Sequence, residues 1–353
     1  MKTVIVLFDS LNRRALGAYG GSTVATPNFD RLAARTQVYD NHYVGSMPCM
    51  PARRDMMTGR LSFLHRSWGP LEPFDNAWPE ILRAEKGTHS HLITDHYHYW
   101  EDGGATYHNR YSTFDFIRGQ ESDPWKAVVA PDWESLRARY HPRQCSVGDL
   151  ISKHAANVVN REYIRDEADF PAVQTFDKAM EFLDTNAKAD NWVLQVETFD
   201  PHEPFTAPDR FREAFPTGWN GPIRDWPRYG RVDETEAEAD ELRANYHALV
   251  AMCDEQMGRV LDRFDALDLW QDTCLIVTTD HGFLLGEHDF WAKNRMTIYQ
   301  EIAHIPLMIH DPRTPGTGRV EQLTQNMDLM PSLLELYGCA VPKEVLAKSL
   351  FQP

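Results

Sequence analysis

Two acids each close a run of apolar residues. Asp9 follows Val4-Ile-Val-Leu-Phe8, and Asp280 follows Leu275-Ile-Val-Thr-Thr279 with His281 and Gly282 directly behind it. An acid after a strand is a frequent turn or helix cap, and either one alone reads that way. Together, with an imidazole beside them and on strands able to be neighbours, they suit a hard cation held by carboxylate oxygens and one nitrogen. A third element is Cys49-Met-Pro-Ala-Arg53, which continues through Arg54-Asp-Met-Met-Thr58 to Gly59-Arg60 and is preceded by Gly45-Ser-Met-Pro48. That pattern predicts a loop feeding a helix, with Cys49 and Arg53 one turn apart. A nucleophile there stands against the positive end of a helix, where a tetrahedral oxyanion also binds well. A cysteine phosphatase would need Cys-x5-Arg; position 55 is Asp55, so that chemistry is excluded.

The elements that must position these residues are legible as alternating strands and helices. Val4–Phe8, His91–Thr94, Trp192–Thr198, Cys274–Thr279 and Ile305–Ile309 are continuous apolar runs, as expected of strands buried on both faces of a mostly parallel sheet. The clearest helix spans Ala239–Asp268, where Leu242, Tyr246, Leu249, Cys253, Met257, Val260 and Phe264 form one apolar stripe, making Cys253 a small core residue. Further helices are predicted over Asn28–Arg35, Val173–Asp184 and Met330–Tyr337, the last with Pro331 in its first turn and Gly338 past its end. This alternation predicts an α/β fold, a three-layer α/β/α sandwich. Segments 100–141 and 205–233 interrupt it and read as lids or binding loops. Their aromatics Trp100, Tyr107, Trp125, Trp219 and Trp226 either line a pocket or pack the segments onto the domain.

The ordered motifs resemble the sulfatase family of the alkaline phosphatase superfamily, which includes phosphonate monoester hydrolases. The match runs from Asp9 through Thr26-Pro-Asn-Phe-Asp30, the Cys49–Arg60 signature, Asp200-Pro-His-Glu-Pro-Phe205, and Asp280-His-Gly282 to Lys293, ending with Asp328-Leu-Met-Pro331. The resemblance implies an alkaline-phosphatase-like fold and a sulfuric ester hydrolase. It implies that Cys49 is oxidised to formylglycine, whose geminal diol attacks the sulfur or phosphorus and whose second hydroxyl later expels the anion. Asp9, Asp280, His281 and the modified Cys49 would hold one divalent metal ion, which acidifies the nucleophile and neutralises the anion. Arg53 would hold the nucleophile's oxygen, and His202 and Lys293 would bind the anion and protonate the leaving group. His288 is either a contact behind the site or structural.

This chain departs from the family pattern. Ser10 stands where many members have a second acid, and His281 where many have Asn or Gln, which tilts the ion from Ca2+ toward Mn2+. The usual Lys-x-His pair is replaced by Thr94-Asp95-His96-Tyr97-His98-Tyr99, leaving Asp95, His96 and Tyr97 as candidate substrate contacts. These departures bring in a phosphonate monoester or phosphodiester hydrolase as the alternative to a sulfate ester hydrolase. A catalytically silent metal-binding homologue is a further alternative, because the family continues past Lys348-Ser-Leu350 into a small subdomain. The expected division is a catalytic domain over 1–340 and the start of a short C-terminal region over 341–353.

The resemblance also implies a small anionic ester as partner, and the charge balance argues against a polyanion. With 36 Lys+Arg against 52 Asp+Glu, the net charge of −16 repels nucleic acid and anionic membranes. No run reaches the roughly 18 apolar residues of a membrane span. Cys49, Cys145, Cys253, Cys274 and Cys339 are odd in number and scattered, against a disulfide framework or a CxxC zinc site. The N-terminal apolar run is too short for a signal peptide, so a cytoplasmic chain is expected, converted at Cys49 by a formylglycine-generating enzyme. A homo-oligomer is left open.

Overall fold

The structure, a computed structural model, describes residues 1–144 and 153–351. Cys145 lies outside the described residues. The strands are β1 Lys2–Phe8, β2 Gln37–Tyr43, β3 His89–Thr94, β4 Thr113–Phe116, β5 Trp192–Thr198, β6 Gly230–Arg231, β7 Thr273–Thr279, β8 Leu284–Leu285, β9 Phe290–Ala292, β10 Leu307–His310 and β11 Gly318–Gln325. Eight of them form one sheet in the order β11-β2-β10-β7-β1-β5-β3-β4, and β6, β9 and β8 form a small antiparallel sheet. Within the large sheet only β10 runs against its neighbours. The mostly parallel α/β fold expected from the continuous apolar runs is therefore found.

Because successive side chains on a strand point to opposite faces, β1 serves two cores at once. Val4, Val6 and Phe8 join one core with the helices Pro171–Asn186 and Glu236–Ala266. Ile5 and Leu7 join the other with Cys49–Thr58, Trp78–Lys86 and Leu329–Leu336. Three layers result. Leu7→Ala, in the middle of this arrangement, would cost about 2–5 kcal/mol in lost burial and residual cavity.

The long helix begins three residues before the expected start at Ala239, at Glu236, because Thr235 and Glu238 form a reciprocal capping box ahead of it. Cys253 lies on its buried stripe. Three sheet strands were not anticipated. β2 carries Asp40, Asn41 and His42 among its apolar residues, β4 has only four residues, and β11 is mostly exposed. β4 lies inside the first irregular segment and pairs in parallel with β3. Of the aromatics in the two segments, Trp100 stacks on Phe116, Tyr107 donates to the Gly69 carbonyl, Trp125 lies under Lys126 and Trp219 donates to the Pro222 carbonyl. Only Trp226 among those five reaches the cleft described below. Residues 341–351 run back over the domain, where Leu346 and Ala347 donate backbone N–H groups to the Gly59 carbonyl and Leu350 to Ser332 Oγ.

Candidate active site

β1 and β7 are adjacent and end in register, Phe8 opposite Thr279. Asp9 and Asp280 therefore leave the sheet side by side at its carboxyl edge, where open α/β sheets bind ligands. Both are completely buried, as is His281. β5 flanks β1 on its other side, and its Glu197 sits opposite Leu7. The helix Cys49–Thr58 starts over this edge and brings Cys49 Sγ to 3.3 Å from His281 Nε2 and 3.9 Å from Asp9 Oδ1.

Asp9, Cys49, Asp280 and His281 each offer one donor atom within 4.8 Å of the others. Two carboxylates, an imidazole and the side chain at position 49 fit one divalent cation with a mixed O/N preference. His281 Nδ1 lies 3.0 Å from the Gly282 carbonyl, which places the ring proton there and leaves Nε2 bare toward Cys49. Burial pushes the His281 pKa down despite Asp280, keeping the imidazole neutral as a ligand must be. Gly282 is required for this turn: a Cβ there would come within 1.9 Å of the Glu301 carbonyl.

Arg53, one turn after Cys49, lies among the acids. It donates Nη2 to Asp9 at 2.9 Å, Nη1 to Asp280 at 2.6 Å and to the Cys49 carbonyl at 3.0 Å, and Nε to Glu197 at 2.7 Å. Only a planar fork can satisfy carboxylates in three directions at once. Burial works against its charge, but Glu197, Asp280 and Asp9 more than offset that and raise its pKa. Burial likewise opposes the Asp9 carboxylate, yet Lys293, Arg53 and His281 hold it below the usual range. Cys49 is different. Burial and then Asp9 push its thiol well up, and Lys293 and Arg53 oppose them only in part. An unmodified Cys49 is thus a protonated thiol at neutral pH and a poor nucleophile.

Ser10, in place of a second acid, forms a relay. Its backbone N–H donates to Asp280 Oδ1 at 3.1 Å, its hydroxyl donates to Asp9 Oδ1 at 2.8 Å, and the same hydroxyl accepts from Lys293 Nζ at 3.0 Å. Lys293 follows β9 and stands 3.8 Å from Asp9 Oδ1. His202, after β5, holds its Nδ1 2.6 Å from the Glu203 carbonyl and packs on the Phe199 ring. Burial, then Lys293, push the His202 pKa well down, so its imidazole is neutral. Cys49, His202 and Lys293 together line a cleft of about 480 Å³.

The three expected substrate contacts are placed elsewhere. Asp95 accepts from the Phe199 backbone N–H at 2.6 Å and from Gln120 Nε2 at 3.1 Å, tying the ends of β3 and β5 together beneath the cleft. Tyr97 bonds Ser122 and is buried away from the cleft lining. His96 stands 3.5 Å from Asp9 Oδ2 with neither ring nitrogen hydrogen-bonded, beside the donor cluster rather than in the cleft. His98, two residues beyond His96, lines the cleft. His288 stacks on Tyr299 and pairs with Glu301, outside the cleft lining. Glu197, Glu121 and Glu203 were not anticipated. A signal for Glu197 existed in the sequence, a lone acid within a strand buried on both faces.

Comparison with known proteins gives one consistent result. A family model described as Sulfatase matches residues 2–339. A choline-sulfatase of Rhizobium meliloti is 25% identical over 358 residues, covering 96% of this chain and 68% of that protein. Iduronate 2-sulfatase of Mus musculus is 26% identical over 402 residues, covering 97% and 69%. In structure, a phosphonate monoester hydrolase of Agrobacterium radiobacter has a TM-score of 0.75 at 20% identity, over 99% of this chain and 76% of that one.

Proposed function

The chain belongs to the sulfatase family, and from that premise we propose that it hydrolyses sulfate monoesters at the cleft over Cys49, with formylglycine at that position and one divalent cation. The balanced reaction is ROSO3− plus water giving ROH, sulfate and a proton. The observation that carries this reading is the convergence of Cys49, Asp9, Asp280 and His281 on one point below a cleft that also holds His202 and Lys293. A bound cation would neutralise the ester's anionic oxygens and acidify the nucleophile.

The chain's own residues account for the remaining work. Arg53 fixes the orientation of Asp9 and Asp280 and, through the Cys49 carbonyl, of the first helical turn. Lys293, whose ammonium is favoured by Glu203, Asp9 and Asp280 despite burial, supplies a fixed positive charge to the ester's oxygens. His202 is oriented by donating Nδ1–H to the Glu203 carbonyl, so its neutral ring presents Nε2 as an acceptor, and the proton for the leaving oxygen comes from the Lys293 ammonium. Each of the two groups stands at a defined atom before substrate arrives, which removes reorganisation from the barrier.

The identity of the cation is part of the proposal. An imidazole donor and the loss of one carboxylate at Ser10 favour Mn2+ over Ca2+. The same donor set supports a second reading, a phosphonate monoester or phosphodiester hydrolase, because sulfate and phosphate esters share a tetrahedral anionic centre. The deciding experiment is kcat/KM for an aryl sulfate and for an aryl phosphonate on one metal-loaded preparation. Higher efficiency on the phosphonate would reverse the order of the two readings.

A cytoplasmic location, conversion by a formylglycine-generating enzyme and the division at residue 340 belong to the same proposal. The burial of Cys49 supports conversion on the unfolded chain. Peptide mass spectrometry across Met47–Arg53 tests it, and unmodified Cys49 in an active preparation would refute it.

A further inference from the structure

Arg53 has a partner that belongs to neither the cleft nor the donor cluster. Its Nε donates to Glu197 Oε1 at 2.7 Å, while Nη1 and Nη2 reach Asp280 Oδ2 and Asp9 Oδ2. Glu197 is completely buried and lies outside the cleft lining. A network of its own fixes it in place. Oε2 accepts from the Tyr99 hydroxyl at 2.9 Å and from Gln195 Nε2 at 3.1 Å, and Gln195 Oε1 accepts from the Tyr111 hydroxyl at 2.8 Å. Both carboxylate oxygens are therefore met by donors, the condition under which a buried acid keeps its charge. Burial pushes the Glu197 pKa up, and Arg53 is the first of the groups that oppose this. In return, Glu197 is the first of the acids that hold Arg53 charged.

This third arm bears on the cation. Asp9 and Asp280 each give Oδ2 to Arg53, and both are also members of the donor cluster with Cys49 and His281. A guanidinium and a divalent cation that share two carboxylates repel each other and compete for the same negative charge. Lys293, also buried, has Glu203 as a charge partner on the cleft side. Arg53 has Glu197. Each of the two buried cations beside the cluster thus has an acid of its own outside it.

We infer that Glu197 is a positioning residue that keeps Asp9 and Asp280 available to the divalent cation: by neutralising Arg53 through Nε, it lets the guanidinium orient both carboxylates without displacing the ion. The inference rests on the reading of Asp9, Cys49, Asp280 and His281 as a cation site. Without the Glu197 charge, Arg53 has only Asp9 and Asp280 to balance it, so the guanidinium binds them more tightly and the cation binds more weakly. Tyr99 and Gln195 keep the carboxylate aimed at Nε and bring no charge of their own.

Mn2+ binding to the full-length protein, followed by calorimetry and by the electron paramagnetic resonance signal of the free ion, tests this without turnover. Glu197→Gln, which leaves an oxygen for Nε but removes the charge, should bind Mn2+ about tenfold or more weakly than wild type. Glu197→Asp, which keeps the charge at a longer reach, should lose about threefold. The effect should run through Arg53: in an Arg53→Met background, Glu197→Gln should change Mn2+ affinity by less than about threefold, whereas a direct action of its charge on the ion would persist in full. Melting curves without metal establish that each variant is folded. Affinity unchanged in Glu197→Gln, or in Glu197→Asp should only that protein fold, overturns the inference, as does a loss of equal size in both backgrounds. Asp280→Asn separates this failure from that of the cation site. If wild type loses Mn2+ on Asp280→Asn but not on Glu197→Gln, the site stands and only the role of Glu197 is refuted; if wild type binds no Mn2+, or binds it equally well after Asp280→Asn, the site and the inference fall together.

Discussion

Arg53 donates Nη1 to Asp280 Oδ2 at 2.6 Å, with both side chains almost sealed from solvent. Asp9 and Glu197 receive the other two arms of the same guanidinium. Arg53→Met would leave three buried carboxylates facing one another. The expected outcome in metal-free protein is a loss of about 3–5 kcal/mol, read from denaturant unfolding, with added Mn2+ restoring part of it at Asp9 and Asp280. Unchanged stability would show that the three ion pairs contribute no net energy.

Cys49→Ala removes the proposed nucleophile and only a small buried volume. Thermal melting should move by a few degrees while kcat for an aryl sulfate falls about 1,000-fold or more. The converse result, turnover retained with the fold intact, would assign the attack to another group.

The cation preference should follow the imidazole. Chelation is expected to abolish activity, and Mn2+ to restore it better than Ca2+. In His281→Asn, which keeps a neutral donor but exchanges nitrogen for oxygen, the ranking should move toward Ca2+. Elemental analysis showing the same ion preference in both proteins would mean that position 281 does not ligate.

Stability should decline as pH rises from about 4 to 7. Burial pushes the Asp95 carboxyl up to about 7, against hydrogen bonds from Gln120 and Phe199, and burial with Asp95 raises Asp200 as well. In the unfolded chain these acids ionise near pH 4. Between the two values the native state binds more protons than the unfolded one, so the contribution is complete below the unfolded pKa and is lost as pH passes the folded pKa. Melting temperature at pH 6 should therefore exceed that at pH 8, and Asp95→Asn should flatten the profile.

The floor of the site was readable because its chemistry is written into local patterns. Asp9 and Asp280 each terminate an apolar run, and Arg53 lies one helical turn from Cys49. Glu197 was obscured by the opposite circumstance: it sits inside an apolar run, where hydrophobic pattern identifies the strand but not the guanidinium waiting beside it. The walls were less legible. Glu121, His98 and Trp68 come from segments without a period of their own, and their meeting depends on long-range folding. Asp95 and Tyr97, the candidate substrate contacts of that segment, lie outside the cleft lining, because the chain turns after β3 and brings His98 to it instead.

Floor and wall are drawn from different stretches of polypeptide. Asp9, Cys49, Arg53 and Asp280 are anchored to the regular scaffold, while Glu121 and Trp226–Tyr229 hang from the two irregular segments. Selection can thus rewrite which alcohol is released while the reacting centre is inherited intact, and a laboratory library confined to positions 121 and 226–229 would explore new esters at little risk to the chemistry itself.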